Sequence, residues 1–186
     1  MPISTQDAAA ALDDIALTQR RASTLLGYER GAPHFLLWGA IWILGYGLSD
    51  VVPDAAGVVW LVLDALGITG SVLIGRSARR ATPSTRSGDG ARFVAAAVTL
   101  AAFISATFFV LPPHSAAQFA AFPALAVAAC YTVIGLWYGA RWSIAGVVLG
   151  ACTLGGFALL TAHFNLWMAV AGGGTLLLTG AWLRRA

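Results

Sequence analysis

The sequence predicts an all-α fold, a polytopic membrane bundle of six transmembrane helices in three hairpins with an N-terminal amphipathic cytoplasmic helix. Three observations lead there. The 186 residues are 59% hydrophobic and 10% charged, whereas a soluble domain carries about 25% charged residues. A short chain leaves much of its surface exposed, so it cannot hide that much apolar material from water. The apolar residues are also gathered into runs of spanning length, and the basic residues fall in alternate connections between those runs.

Residues 1–32 form the first expected unit. In "STQDAAAALDDIALTQRRASTLLGYERG", Ser4 stands three residues ahead of Asp7, which resembles a capping box. Leu12, Ile15, Ala22 and Leu26 follow at helical spacing, with Asp13, Asp14, Arg20 and Arg21 mostly off that stripe. The stripe is thin and is expected to pack beneath its own bundle, since short amphipathic helices rarely hold without tertiary contacts. Lying along headgroups or meeting a partner are the alternatives. A basic start and apolar heart are missing, so no cleavable signal is expected here.

Residues 33–183 form the transmembrane domain. A spanning helix needs roughly 20 mostly apolar residues, and that ruler places spans at about 33–51, 55–75, 92–111, 116–138, 142–162 and 164–183. Pro53, Pro112 and Pro113 mark turns. Pro123 lies inside the fourth span, where its missing N–H should bend the helix. Trp38, Trp60, Tyr138, Trp142 and Trp182 lie toward span ends, the level that amphipathic rings favour.

Direction follows from arginine. All 11 basic residues are Arg. Arg20, Arg21 and Arg30 precede the first span; Arg76, Arg79, Arg80, Arg86 and Arg92 occupy the 76–92 connection; Arg141 lies in a later turn on the same side; Arg184 and Arg185 belong to the tail, 184–186. The opposite connections hold Asp50 and Asp54 and no base. Short basic connections stay cytoplasmic, so both ends of the chain are expected on the cytoplasmic face of a bacterial inner membrane. The 76–92 connection is expected to be a flexible loop. Its Arg76, Arg79, Arg80 and Arg86 are candidates for anionic headgroups.

Asp64 is the one acid within "VVWLVLDALGITG". At mid-bilayer such a group costs about 2.5 to 3.5 kcal/mol on insertion scales, so it is expected to face the bundle interior. Trp42 and Tyr46, at the matching level of the preceding span, are the expected donors to a protonated carboxyl. A proton or cation path, or a contact with a partner, are the sharper readings.

Small residues suggest close helix contacts. Gly135 and Gly139, and Gly146 and Gly150, are spaced by four, which lets membrane helices approach closely. Gly172, Gly173 and Gly174 lie inside the last span as a candidate hinge, broken helix or close crossing, of which the crossing is preferred. Cys130 and Cys152 read as structural thiols. His34, His114 and His163 are peripheral, and no Cys/His cluster has zinc spacing. Neither a phosphate-cradling loop nor a matched Ser/His pair of the rhomboid kind is present. Neither a cofactor nor catalysis is expected.

The hairpin "GAIWILGYGLSDVVP", with Gly39, Gly45 and Pro53, resembles the first hairpin of the bacterial HdeD-type six-helix membrane proteins. That resemblance implies an acid-stress role. The expected function is a non-enzymatic accessory, regulatory or stress-associated one, exerted through helix contacts. A small transporter or ion-binding component using Asp64 is the alternative. The expected partners are the bilayer with its anionic headgroups and either a second copy or another membrane protein. Nucleic acid is not expected, because no recognition module surrounds the basic run.

Overall fold

The computed structural model describes residues 5–81 and 89–185. Every element among the described residues is helical: α1 (Thr5–Val51), α2 (Ala56–Ala81), α3 (Asp89–Val110), α4 (Ala116–Tyr138), α5 (Ala140–Leu159), α6 (Phe164–Trp167) and α7 (Gly173–Leu183). Short 3₁₀ turns, Pro53–Ala55 and Thr161–His163, precede α2 and α6, and a π-helical segment, Met168–Gly172, joins α6 to α7. Four stretches are long and apolar enough to cross a membrane: Pro53–Ala78, Ala116–Tyr138, Ala140–Leu159 and Thr161–Leu183. The shorter Val94–Val110 is apolar too. The part of α1 after Pro33 is also apolar, but carries His34 and Asp50 near its ends and Trp38, Trp42, Tyr46 and glycines between them.

Local chemistry explains the boundaries. Val52 leaves the helical conformation and Pro53 opens the next turn, so α1 stops there. Ser115 caps α4 by accepting from the Gln118 amide at 3.2 Å, while the Gln118 side chain accepts from the His114 amide at 2.6 Å. That reciprocal arrangement satisfies two donors that a helix start would otherwise orphan. Gly139, at φ 115°, turns α4 into α5 in a conformation that a Cβ disfavours.

Two features of the sequence reading change. Instead of a separate cytoplasmic helix followed by a span from residue 33, α1 is one continuous 47-residue rod with Pro33 inside it. At 1.5 Å per residue such a rod is about 70 Å long, more than twice the hydrocarbon thickness. Its first half therefore does not fold back beneath the bundle: Leu12 is 67% and Ile15 53% exposed, and Leu26 is exposed as well. Of the 76–92 connection, residues 82–88 lie outside the described residues, and the flanks on both sides are helical. α2 continues through Ala81 and α3 resumes at Asp89, so Arg76 and Arg80 lie one turn apart on a helix, both exposed. Ser4 and Arg86 lie outside the described residues, as do the side chains of Asp7, Arg20, Arg79 and Arg92.

The core is built by α1, α4, α5 and the α6–α7 segment. Phe35, Leu149, Met168, Leu176, Leu183 and Thr153 are its largest fully enclosed side chains. α4 and α5 pair along their lengths, and α1 packs chiefly on α7 and on the π segment. α2 flanks this core through α1, and α3 hangs from α4. The α3–α4 contact is aromatic: Phe108 stacks on Phe119 at 4.8 Å, and Phe103 meets Phe122 at 6.1 Å.

Candidate functional site

Two tryptophans clasp α1 to α2 in a reciprocal way. The Trp60 indole of α2 lies over Gly45 of α1 and donates to Ser49 Oγ at 3.1 Å. The Trp38 indole of α1 lies over Gly67 of α2 and donates to Ser71 Oγ at 3.2 Å. In each case the glycine gives the ring a seat and the serine four residues later gives its N–H a partner, which an indole needs in an apolar medium. A related contact joins α5 to the last span, where Trp167 rests on Gly156 and donates to the Cys152 carbonyl at 2.8 Å.

Asp64 lies on α2 between the two clasps, on the turn after Trp60 and before Gly67 and Ser71. It is half-exposed rather than enclosed, and among the described residues its carboxyl group receives no hydrogen bond. The Tyr46 hydroxyl, however, donates elsewhere, to the Ala120 carbonyl of α4 at 3.0 Å. The expected Tyr46–Asp64 bond is thus replaced by one to α4, on the turn before Pro123. Trp42 meets Tyr46 edge-on at 5.6 Å and contacts Gly172 in the π segment.

The candidate packing glycines separate into two groups. A Cβ at Gly146 would meet the Ala128 carbonyl and the Thr132 amide at 2.5 Å, and one at Gly135 would run into the Ser143 backbone. Both are points where α4 and α5 touch through backbone, assisted by Ser143 Oγ donating to the Thr132 carbonyl at 2.9 Å. Gly150 makes only ordinary contact with Ala128, and Gly139 is the turn itself, against Tyr28 and Thr24.

In the last span, a Cβ on Gly173 would stand 3.0 Å from the Ile43 amide and 3.1 Å from the Gly39 carbonyl, while Gly174 faces open space. Gly172 contacts Met168 and Trp42. Gly172 and Gly173 therefore serve a crossing of α1 with the last span, and Gly174 does not. In the π turn that ends at Gly172, Met168 and Ala169 are both buried, at 0% and 6% exposure.

Sequence reasoning passed over the clasp serines, the Trp167 seat and the role of Arg141. The spacing Gly-x-x-x-Ser at residues 45–49 and 67–71 was the available signal. Arg141 donates to the Trp182 carbonyl at 2.7 Å and lies over the Tyr28 and Trp182 rings at 5.2 and 4.9 Å. Cys130 and Cys152 are free thiols, and among the described residues no group of three His, Cys, Asp or Glu side chains is gathered as a metal site. No protein-family model, curated protein or solved structure matches this chain.

Proposed function

We propose that the protein is a six-span component of a bacterial inner membrane, with both ends cytoplasmic, and that it has a non-enzymatic accessory, regulatory or stress-associated role. The arginine asymmetry along the chain supports the direction. The apolar helices Val94–Val110 and the half of α1 below Pro33 complete the count beside the four longer spans.

One observation carries the reading. A half-exposed carboxyl group without a hydrogen bond sits midway along α2, a helix that the rest of the bundle holds mainly through α1. Such a group in hydrocarbon needs an external partner, and the exposed Leu61 and Ile68 beside it, at 72% and 60%, provide apolar flanks for one. The occupant is a membrane helix that brings a donor to Asp64, from another protein or from a second copy. A photo-crosslinking residue at position 61 or 68, in native membranes, tests this. A discrete protein adduct that disappears in Asp64→Ala is expected. Adducts with lipid alone, or an adduct indifferent to Asp64, would overturn the reading.

The second reading is solute or ion movement past Asp64. Its specific support is the acid itself within an apolar span, together with the contacts of Trp42 with Tyr46 and with Gly172 in the irregular segment of the last span. Flux in proteoliposomes that vanishes in Asp64→Asn would favour it over the first.

A further inference from the structure

The geometry points to an anionic phospholipid site at the basic end of the bundle, in which the groove between α5 and α7 holds an acyl chain and Arg141 holds the phosphate. This rests on the membrane reading above and adds a defined ligand site to it. The groove, of about 280 Å³, is lined by Ala145, Val148, Thr175, Leu178, Thr179 and Trp182. Ligand pockets span about 300 to 1,000 Å³, so this one suits a stretch of hydrocarbon rather than a whole solute.

Charge decides what the rest of the ligand is. Arg141 stands one turn above the Ala145 wall on α5, at the mouth of the groove. Its guanidinium lies over the Trp182 and Tyr28 rings, and one nitrogen donates to the Trp182 carbonyl at 2.7 Å. Those contacts fix the plane of the group and use one nitrogen, which leaves the other donors for a phosphate in the forked geometry that arginine favours. Among the described residues no acid pairs with Arg141, and Arg184 and Arg185, both exposed, lie two and three residues beyond Trp182. The end of α7 that Arg141 touches is therefore basic.

A second observation concerns the depth just below. Thr179 is 6% exposed and lines the groove, yet its hydroxyl has no hydrogen-bond partner among the described residues. The neighbouring Thr175, by contrast, donates to the Ala171 carbonyl at 2.6 Å. Thr179 lies about 4.5 Å along the axis from Trp182, the level at which a phospholipid with its phosphate at Arg141 presents ester carbonyls. A glycerol ester would accept from this hydroxyl.

Native mass spectrometry of the full chain in detergent, titrated with phosphatidylglycerol and with phosphatidylcholine, tests the site. The expected result is one tightly held phosphatidylglycerol, bound about tenfold more weakly by Arg141→Gln and unaffected by Arg80→Gln. Val148→Phe, which fills the groove from an exposed position, should weaken binding similarly with Arg141 intact. That variant stands even if Arg141→Gln fails to fold. Equal retention of phosphatidylcholine, unchanged binding in Val148→Phe, or displacement of the lipid by inorganic phosphate would each overturn the proposal. Carbonate extraction separates the two levels: release from membranes sinks the membrane reading itself, while retention with indifferent Arg141 and Val148 variants sinks the lipid site alone.

Discussion

Replacing Gly173 and Gly174 by alanine, one at a time, should move stability in opposite directions although the two residues are adjacent. At Gly173 the added methyl would stand 3.0 Å from the Ile43 amide and 3.1 Å from the Gly39 carbonyl. Both obstacles are backbone and cannot swing aside, so α1 and α7 must part by about half an ångström to restore a van der Waals separation of about 3.5 Å. Such overpacking costs about 1 to 3 kcal/mol, offset by about 0.8 to 1 kcal/mol from the better helix propensity of alanine. A net loss of up to about 2 kcal/mol remains. At Gly174 nothing lies within 4 Å of the added atom, so only the propensity gain applies and stability should rise by up to about 1 kcal/mol. Reversible denaturant titration of the detergent-solubilised protein, followed by tryptophan fluorescence, reads both values. Equal destabilisation by the two variants would refute the argument from contact geometry, and so would a stabilising Gly173→Ala.

Trp60→Phe should loosen the α1–α2 hairpin by more than about 0.6 kcal/mol, the average for a membrane hydrogen bond, because Ser49 loses its indole donor and Gly45 loses the outer ring that covers it. A double-mutant cycle with Ser49→Ala should then give a coupling of about 0.6 kcal/mol, and zero coupling would show that the bond contributes nothing. Tyr46→Phe should cost about 0.6 to 1.7 kcal/mol in the same assay, since it removes the donor from the Ala120 carbonyl. An unchanged stability would show that the bond contributes nothing.

Apolar run length and punctuation made the helices legible: α1 ends at Val51 and α4 spans Ala116–Tyr138, where the sequence places those boundaries. Turn prolines and the Ser115 cap act locally, so they can be read without knowing the fold. The continuity of α1 through Pro33 was not legible, because a proline near a span entrance reads equally well as a boundary. The π turn at Met168–Gly172 carries no residue pattern of its own. The site was harder. The level of Asp64 pointed to Trp42 and Tyr46, but which way Tyr46 would donate depended on α4, an element distant in the chain. Residues that face a distant element take their partners from helix rotation, and spacing alone does not set that.

Placing α1 against α7 has a consequence for the order of synthesis. The α1–α2 hairpin carries its own tryptophan clasps and can close as soon as both helices have left the ribosome. The other face of α1, where Gly39 awaits Gly173, has no mate until nearly all of the intervening polypeptide has been made. During that interval the strip formed by Ala32, Leu36, Gly39 and Ile43 stays uncovered, so other apolar helices in the making can meet it before its permanent companion arrives.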